Sequence, residues 1–215
     1  MSKIKTVLFD FDGTLMDTTD IIVQSWQQVY LKVRGEEEDE RVILDTFGTM
    51  LAAELDKVFP GHDREELLKI YRGYQEDKFL DMISLYPGIR EMLDELKGRA
   101  ENIALVTSRL KPTTMQAVNE FGLDEYFDVM VTASDCTAHK PDPQPILMAL
   151  EQLGVSPGPD VLMVGDTLPD RKCARNAGVS CALVSWAPAI DVHALNDEDA
   201  PEYILEKPSD IFKVL

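Results

Sequence analysis

Two aspartates one residue apart stand near the start of the chain, at the end of a short apolar run. Asp10 and Asp12 follow the run at residues 7–9, and Gly13 and Thr14 come directly after them. The run is rich in strand formers and too short for a helix, so it predicts a buried strand that the glycine ends. Ligands of an open parallel sheet bind beyond the carboxyl ends of its strands, where these carboxylates would lie. Because two anions so close repel each other, the pair predicts chemistry assisted by a cation or a proton.

Further polar side chains follow later apolar runs in equivalent places. In chain order they are Thr107, Ser108, Arg109, Lys140, Asp166 and Asp170. The first three follow a run at residues 103–106, the lysine lies in a loop before a proline, and the aspartates follow a run at residues 161–164. Each group alone is explained by a turn, a surface loop or a strand exit. Since parallel strands end at one edge of a sheet, their order predicts that they all meet there.

Strand and helix patterns alternate over most of the chain. Apolar runs at residues 129–131 and 182–184 predict further strands, with helical patterns and glycine stops between them. This alternation predicts a doubly wound, Rossmann-like α/β fold, in which helices cover both faces of a parallel sheet. Residues 203–205 are a candidate short edge strand, and residues 209–214 predict a last helix.

One long stretch departs from this alternation and shows helical spacing only. A first helix is expected over Thr19–Arg34, and a second is interrupted at residues 47–49. A third helix is expected to continue towards residue 83, where the stretch ends. We therefore expect an all-helical cap domain at residues 17–83. It is inserted into an α/β catalytic core made of residues 1–16 and 84–215.

Composition and charge limit the partners and the compartment. The 215 residues include 39 acidic and 21 basic side chains, a net charge of −18, which disfavours nucleic acid and anionic membranes as partners. A strongly acidic protein that acts on an anionic substrate needs a local positive charge, and a divalent cation is the obvious source. We expect no signal peptide and no membrane span, and three cysteines without zinc or disulfide spacing predict a reduced, cytoplasmic setting. The oligomeric state stays open.

Together, the strand-end groups resemble the four motifs of the haloacid-dehalogenase-like hydrolases. The first motif is Asp-x-Asp-Gly-Thr from Asp10, the second is Thr107, the third is Lys140 before a proline, and the fourth is Gly-Asp-Thr-x-x-Asp around Asp166. The resemblance extends over essentially the whole chain and implies a phosphatase that forms an aspartyl phosphate. The helical insertion is similar to the cap of the subgroup with phosphoglycolate phosphatases, pyrophosphatases and β-phosphoglucomutases, which closes over small phosphorylated metabolites.

The resemblance implies a role for each residue that matches a motif. Asp10 would be the nucleophile, Asp12 the general acid and then the general base, and Lys140 the cation that offsets negative charge on Asp10 and on the phosphoryl group. The metal ligands of a bound Mg²⁺ would be Asp10, the backbone carbonyl of Asp12, Asp166 directly, and Asp170 directly or through water.

The resemblance also implies contacts with the substrate. Thr107 and the backbone amide of Ser108 would hold phosphoryl oxygens, with Arg109 beside them. Gly48 and Thr49 break the helical pattern of the insertion and resemble the cap loop that faces the active site in phosphatases and pyrophosphatases. An ordinary turn between two helices is the alternative explanation for that loop.

Several functions compete with a phosphomonoester phosphatase. Inorganic pyrophosphate is the runner-up substrate, although the insertion shows no basic cluster for a second phosphate. A mutase of the β-phosphoglucomutase type is less favoured, because the His-Arg pair of those enzymes does not occur around Gly48. A non-catalytic binding protein on the same scaffold is expected to lack Asp10, Asp12 or Lys140, and all three are present. The natural substrate stays open.

Overall fold

The computed structural model describes residues 3–215, which form a parallel sheet flanked by helices. In chain order the strands are β1 (Thr6–Phe9), β2 (Met16–Asp17), β3 (Ser84–Leu85), β4 (Asn102–Val106), β5 (Val129–Val131), β6 (Val161–Gly165), β7 (Ser180–Val184) and β8 (Tyr203–Leu205). The helices are α1 (Thr19–Arg34), α2 (Glu40–Leu44), α3 (Leu51–Val58), α4 (Arg64–Gln75), α5 (Ile89–Leu96), α6 (Lys111–Glu120), α7 (Gln144–Leu153) and α8 (Leu168–Ala177). Strands and α-helices alternate from β3 to β7, α1 to α4 follow one another between β2 and β3, and no α-helix separates β1 from β2 or β7 from β8.

Six strands form one parallel sheet in the order β5-β4-β1-β6-β7-β8. β1 lies between β4 and β6, and its last residue, Phe9, is in register with Leu105 and Val164. The three strands therefore end close together, and the residues that follow them meet at one edge of the sheet. From β1 the chain adds β4 and β5 on one side of the sheet and then β6, β7 and β8 on the other. A change of direction of this kind puts a ligand-binding crevice at this edge.

Helices cover both faces of the sheet. Successive strand residues point to opposite faces. Val7 and Phe9 of β1 pack in one core cluster with Leu93 of α5 and Val118 of α6, whereas Leu8 packs in a second cluster with residues of α7 and α8. The predicted doubly wound α/β fold is confirmed.

Helices α1 to α4 share a separate aromatic core. Trp26 and Tyr30 of α1 pack against Phe59, which follows α3. Tyr71 of α4 meets Trp26 edge-on, with ring centroids 5.9 Å apart. Edge-to-face contacts of this kind add to the stability that burial of the rings provides. The helical segment thus has packing of its own, distinct from the two clusters that flank the sheet.

The helix predictions for this segment are confirmed with one exception. α1 has the predicted bounds, and the predicted interruption at residues 47–49 lies between α2 and α3. The prediction that the third helix continues towards residue 83 is wrong, because α4 ends at Gln75. The chain leaves the helix there, and Phe79 and Ile83 pack into a core cluster of the sheet instead of extending a helical face.

A short antiparallel ribbon connects the sheet to the helical segment. Met16 of β2 pairs with Leu85 of β3, and Asp17 pairs with Ser84. Strands of two residues carry no periodic pattern, and the sequence did not predict them. The proposed domain limits at residues 17 and 83 fall at this ribbon, and the division into core and cap stays a prediction.

The C-terminal elements differ only slightly from the sequence predictions. β8 is the predicted edge strand and pairs with β7, which begins at Ser180, before the predicted 182–184. The predicted last helix is a 3₁₀ helix at Pro208–Lys213. All three cysteines are free. Within residues 3–215, no helix has both the length and the apolar character that a bilayer crossing requires.

Candidate active site

A buried lysine joins two carboxylates at the end of β1. Asp10 accepts a hydrogen bond from the backbone N–H of Phe11 at 2.7 Å, and its Oδ1 lies 3.1 Å from Nζ of Lys140. The same Nζ donates to Oδ1 of Asp170 at 2.6 Å. Although burial alone would lower the pKa of Lys140, the Asp10 and Asp170 carboxylates raise it above its usual value. The lysine therefore remains charged between its two partners.

Asp166 lies beside this group and completes a cluster of carboxylates. One ligand oxygen each from Asp10, Asp166 and Asp170 lie within 4.8 Å of one another. Burial raises the pKa of Asp10 to about 7, against the opposing effect of Lys140. Burial and the neighbouring Asp170 raise the pKa of Asp166 well above its usual value. One lysine does not balance three buried carboxylates, and their hard oxygen donors suit a divalent cation such as Mg²⁺.

Glycine at position 13 is what allows Asp166 to come so close to the first loop. Gly13 has a φ of +73°, and a Cβ at that position would lie 2.0 Å from Oδ2 of Asp166. The hydroxyl of Thr14 donates to the other oxygen, Oδ1, at 3.3 Å. The Gly-Thr pair of the first motif therefore supports the aspartate of the fourth motif through both close approach and a hydrogen bond.

The position of Asp170 follows from its role at the start of α8. Its Oδ2 accepts from both the backbone N–H and the hydroxyl of Thr167, at 3.1 and 2.5 Å, in a capping box. Its Oδ1 accepts from Lys140. Gly165 leaves room for this arrangement, because a Cβ there would lie 2.4 Å from Cβ of Asp170. Both oxygens of Asp170 thus already accept hydrogen bonds from the protein.

The turn after β4 lies next to the first loop, as predicted. Thr107 is buried, and its hydroxyl oxygen accepts from the backbone N–H of Arg109 at 3.1 Å. The hydroxyl of Ser108 donates to the backbone carbonyl of Gly48 at 3.2 Å. The predicted loop of the helical segment therefore contacts the predicted phosphate-binding turn directly.

Arg109 makes a contact that the sequence did not predict. Its Nε donates to both oxygens of Asp12, at 3.0 and 3.1 Å, and its Nη2 donates to Oδ1 at 2.8 Å. The guanidinium lies over the ring of Phe79, 4.5 Å from its centroid. Only 8% of the arginine side chain is exposed. The sequence assigned Arg109 to the substrate, whereas in this structure the side chain binds the proposed general acid.

The loop at residues 47–49 faces the site from the opposite side. Gly48 has a φ of +82°, and a Cβ there would lie 2.2 Å from Oγ1 of Thr167. Thr49 donates its hydroxyl to the backbone carbonyl of Thr46 at 2.9 Å and lines the cavity. The loop is thus a turn between helices, as the alternative explanation had it, and it also contacts the turns after β4 and β6.

A cavity of about 730 Å³ extends from the carboxylates into the space between the helical segment and α6. Asp10, Asp12 and Asp166 are among the residues that line it. Its walls include the rings of Trp26, Phe47, Tyr71 and Phe79. The sequence reasoning missed these aromatic residues as lining, because helical spacing identifies a residue as buried but not as facing a cavity. The supporting threonines at 14 and 167 were also missed, although both lie inside the recognised motifs.

The family model for haloacid dehalogenase-like hydrolases matches residues 7–184. The chain belongs to the haloacid dehalogenase-like hydrolases. Pyrophosphatase PpaX of Bacillus velezensis is 32% identical over 218 residues, which cover 99% of this chain and 96% of that protein. Pyrophosphatase PpaX of Bacillus cereus is 33% identical over 213 residues, with 99% and 97% covered. The protein is therefore an enzyme, a phosphatase of this family.

The solved structures that resemble the chain have the same fold. One is described as a predicted phosphatase from Clostridium acetobutylicum, with a TM-score of 0.85, 25% identity, and coverage of 99% of this chain and 98% of that one. Another is described as a predicted phosphoglycolate phosphatase from Haemophilus somnus, with a TM-score of 0.83 and coverage of 100% and 99%. At 22% identity the second likeness supports the fold alone. The family's helical cap is consistent with α1 to α4.

Proposed function

We propose that the protein is a Mg²⁺-dependent phosphatase that hydrolyses a small phosphomonoester through an aspartyl phosphate on Asp10. The observation that carries this proposal is the set of charged groups around Asp10, which lines the cavity. Nζ of Lys140 lies 3.1 Å from Oδ1 of Asp10, and a carboxylate oxygen of Asp166 lies within 4.8 Å of one from Asp10. A nucleophile, a fixed positive charge and a candidate metal ligand therefore share one small volume.

The residues present fit a bound Mg²⁺ ion. Asp10 and Asp166 would hold it with carboxylate oxygens, and Asp12 with its backbone carbonyl. Asp170, whose oxygens already accept from Lys140 and Thr167, would contribute through water or by orienting the lysine. A bound ion supplies positive charge that offsets the repulsion between the nucleophile and an anionic phosphoryl group.

The protein's own residues would then carry out two displacements at phosphorus. In the first, an oxygen of Asp10 forms a bond to phosphorus while the bond to the ester oxygen breaks, and Asp12 gives that oxygen a proton. In the second, Asp12 takes a proton from water, whose oxygen attacks phosphorus and releases phosphate from Asp10. The Thr107 hydroxyl and the Ser108 amide would hold the phosphoryl oxygens throughout.

We also propose that residues 17–83 act as a cap over this site. The contact of Gly48 with Ser108 and Thr167 brings the helical segment against both turns that border the reacting carboxylates. Closure of such a segment excludes water from the reaction and limits the size of the substrate.

Pyrophosphate is the second candidate substrate. The observation that favours it is the name of the two curated relatives, both of which are described as pyrophosphatases at 32% and 33% identity. Both substrates use the same nucleophile and the same transfer to water, so they differ only in what occupies the rest of the cavity.

The route of water tests the proposed mechanism. A single turnover in ¹⁸O-labelled water is followed by mass spectrometry of the released phosphate and of the peptide that contains Asp10. We expect the label in phosphate and none in the peptide, because water attacks phosphorus. Label in the peptide would mean attack at the Asp10 carboxyl carbon, as in cleavage of an alkyl ester, and would overturn the phosphatase mechanism. A parallel screen of small phosphomonoesters and pyrophosphate with Mg²⁺ identifies the preferred class.

A further inference from the structure

We infer that the substrate is a phosphomonoester whose alcohol part carries an apolar group of several carbons, which fills the cavity beyond the reacting carboxylates. This inference rests on the proposed function and narrows it. It separates the two candidate substrates, because pyrophosphate has no apolar part.

The cavity is much larger than the phosphoryl group requires. Its volume of about 730 Å³ falls within the range of roughly 300–1,000 Å³ in which proteins bury drug-sized ligands. Pyrophosphate and phosphoglycolate are both far smaller than such ligands. Asp10 and Asp166 are among its lining residues, and a phosphoryl group bound at them occupies only a small part of this volume, which leaves most of it for the rest of the substrate.

The walls of that remaining volume are mainly apolar. Phe47, Met50 and Leu51 line it from the loop and the start of α3, and Trp26 and Phe79 line it from α1 and from the turn after α4. Phe47, Met50 and Leu51 are half-buried and so offer apolar surface to the cavity, whereas the rings of Trp26 and Phe79 are almost fully buried and expose little of theirs. Apolar surface of this kind gains free energy when an apolar group displaces water from it, whereas a second phosphate would lose hydration there without compensation.

The positive charges around the cavity are not arranged for a second phosphate. Arg109 has its guanidinium on the carboxylate of Asp12. Lys69 and Arg72 also line the cavity, but both are exposed, and the carboxylates of Glu54 and Glu76 line it with them. The helical segment therefore contributes as many negative as positive side chains to the lining.

A series of n-alkyl phosphates tests the inference. Ethyl, butyl and hexyl phosphate have leaving groups of similar acidity, so differences in kcat/KM report contacts with the alkyl chain. We expect kcat/KM to rise by about fourfold per added methylene until the cavity is filled, and hexyl phosphate to exceed both phosphoglycolate and pyrophosphate. The dissociation constants of the same compounds for Asp10→Asn, measured by calorimetry with Mg²⁺, give a second readout that needs no turnover.

Two substitutions on α3 make a matched pair. Ala52 lines the cavity, whereas Ala53 is exposed and is not among the lining residues. Ala52→Leu is expected to lower the ratio of kcat/KM for hexyl over ethyl phosphate by about fourfold or more, because it occupies space meant for the chain. Ala53→Leu adds the same side chain outside the cavity and is expected to leave that ratio unchanged.

The outcomes separate this inference from the function on which it rests. Equal kcat/KM along the alkyl series, or a preference for pyrophosphate over hexyl phosphate, overturns the inference and leaves the phosphatase function intact. An equal effect of Ala52→Leu and Ala53→Leu also overturns it, since the change in ratio would then not come from the cavity. Absence of phosphate release from every compound, p-nitrophenyl phosphate included, overturns the proposed function and this inference together.

Discussion

Arg109 holds the carboxylate of Asp12 through three hydrogen bonds, with Nε shared between both oxygens and Nη2 on one of them. The pair joins the turn after β4 to the first loop across 97 residues of sequence. Phe79 packs against the outer face of the guanidinium. The direction of the Asp12 side chain therefore depends on Arg109, which comes just after the second motif, and on Phe79, which comes after the end of α4.

Arg109→Ala is expected to lower kcat by about tenfold to a hundredfold, with a smaller change in KM, because the side chain orients Asp12. The loss should be large for an alkyl phosphate, whose leaving oxygen needs a proton. It should be small for p-nitrophenyl phosphate, whose leaving group departs without one. Steady-state kinetics on both substrates measures the difference. Arg109→Lys is the companion variant, because it keeps the positive charge but loses the planar guanidinium that donates through two nitrogens. Equal losses on both substrates, expressed in KM, would instead make Arg109 a substrate contact.

Asp10→Asn is expected to abolish turnover, by about 10³-fold or more, and to leave the protein folded, because the amide keeps the shape but is a poor nucleophile. The pKa of Asp10 is raised to about 7 in the folded protein, mainly by burial. Ionised Asp10 therefore opposes folding, and stability falls as pH rises from the unfolded value of about 4 to about 7.

Without metal, Asp10→Asn should consequently have a higher melting temperature than the wild type at pH 8, and the difference in melting temperature should shrink as the pH falls towards 5. Thermal melts in chelator at the two pH values measure this, with circular dichroism as the check on folding. A variant that is folded and still turns over normally would exclude Asp10 as the nucleophile.

Activity is expected to require Mg²⁺ and to disappear in excess chelator, because Asp10, Asp166 and Asp170 crowd their carboxylates within 4.8 Å. Mg²⁺ should also raise the melting temperature. At a free concentration of about 100 times Kd the added stability is ~2.7 kcal/mol. Asp166→Asn should remove this gain, whereas Glu151→Gln, at an exposed position on α7, should keep it. We expect Ca²⁺ to stabilise the protein but inhibit it, since it accepts both oxygens of one carboxylate. Full activity in chelator would contradict the metal requirement.

Gly48→Ala is expected to lower kcat/KM by about tenfold or more, because the new Cβ would lie 2.2 Å from Oγ1 of Thr167 and push the loop off the site. Gly61→Ala is the matched control. Its φ of +85° is close to the +82° of Gly48, and nothing lies within 4 Å of the added Cβ. Both variants should lose about 1–2 kcal/mol of stability from the strained backbone, and only the first should lose activity. Equal kinetics in the two variants would show that the loop does not shape the site.

The sequence was sufficient to predict which residues meet, because each follows a buried strand and the strands are parallel. Asp10, Thr107 and Asp166 are adjacent in space for that reason alone, through the register of β1 with β4 and β6. The capping box that fixes Asp170 is also visible in the sequence, as the pattern Thr167-x-x-Asp170.

The pairing of Arg109 with Asp12 could not be predicted in the same way. It depends on side-chain directions in two loops, and neither periodicity nor strand register determines these. The residues that line the cavity could not be predicted from the sequence either. Tyr71 and Phe79 are both largely buried, yet each also borders the cavity, and only the relative placement of the helical segment and the sheet reveals that. The end of α4 was mispredicted because the apolar residues after it continued to suggest a helix.

The ribbon of β2 and β3 has a consequence for how this chain can vary. Because Asp17 pairs with Ser84, the polypeptide leaves and re-enters the sheet domain at a single point. We therefore expect that α1 to α4 can be lengthened, shortened or exchanged while β1 and β4 keep their register, provided that Phe79 and Ile83, which pack against the sheet, are retained. A chimera that carries α1 to α4 of a relative, and keeps Phe79 against Arg109, is therefore expected to take the substrate preference of that relative with the same reaction centre. With the proposed cap and core, selectivity and chemistry would be inherited separately.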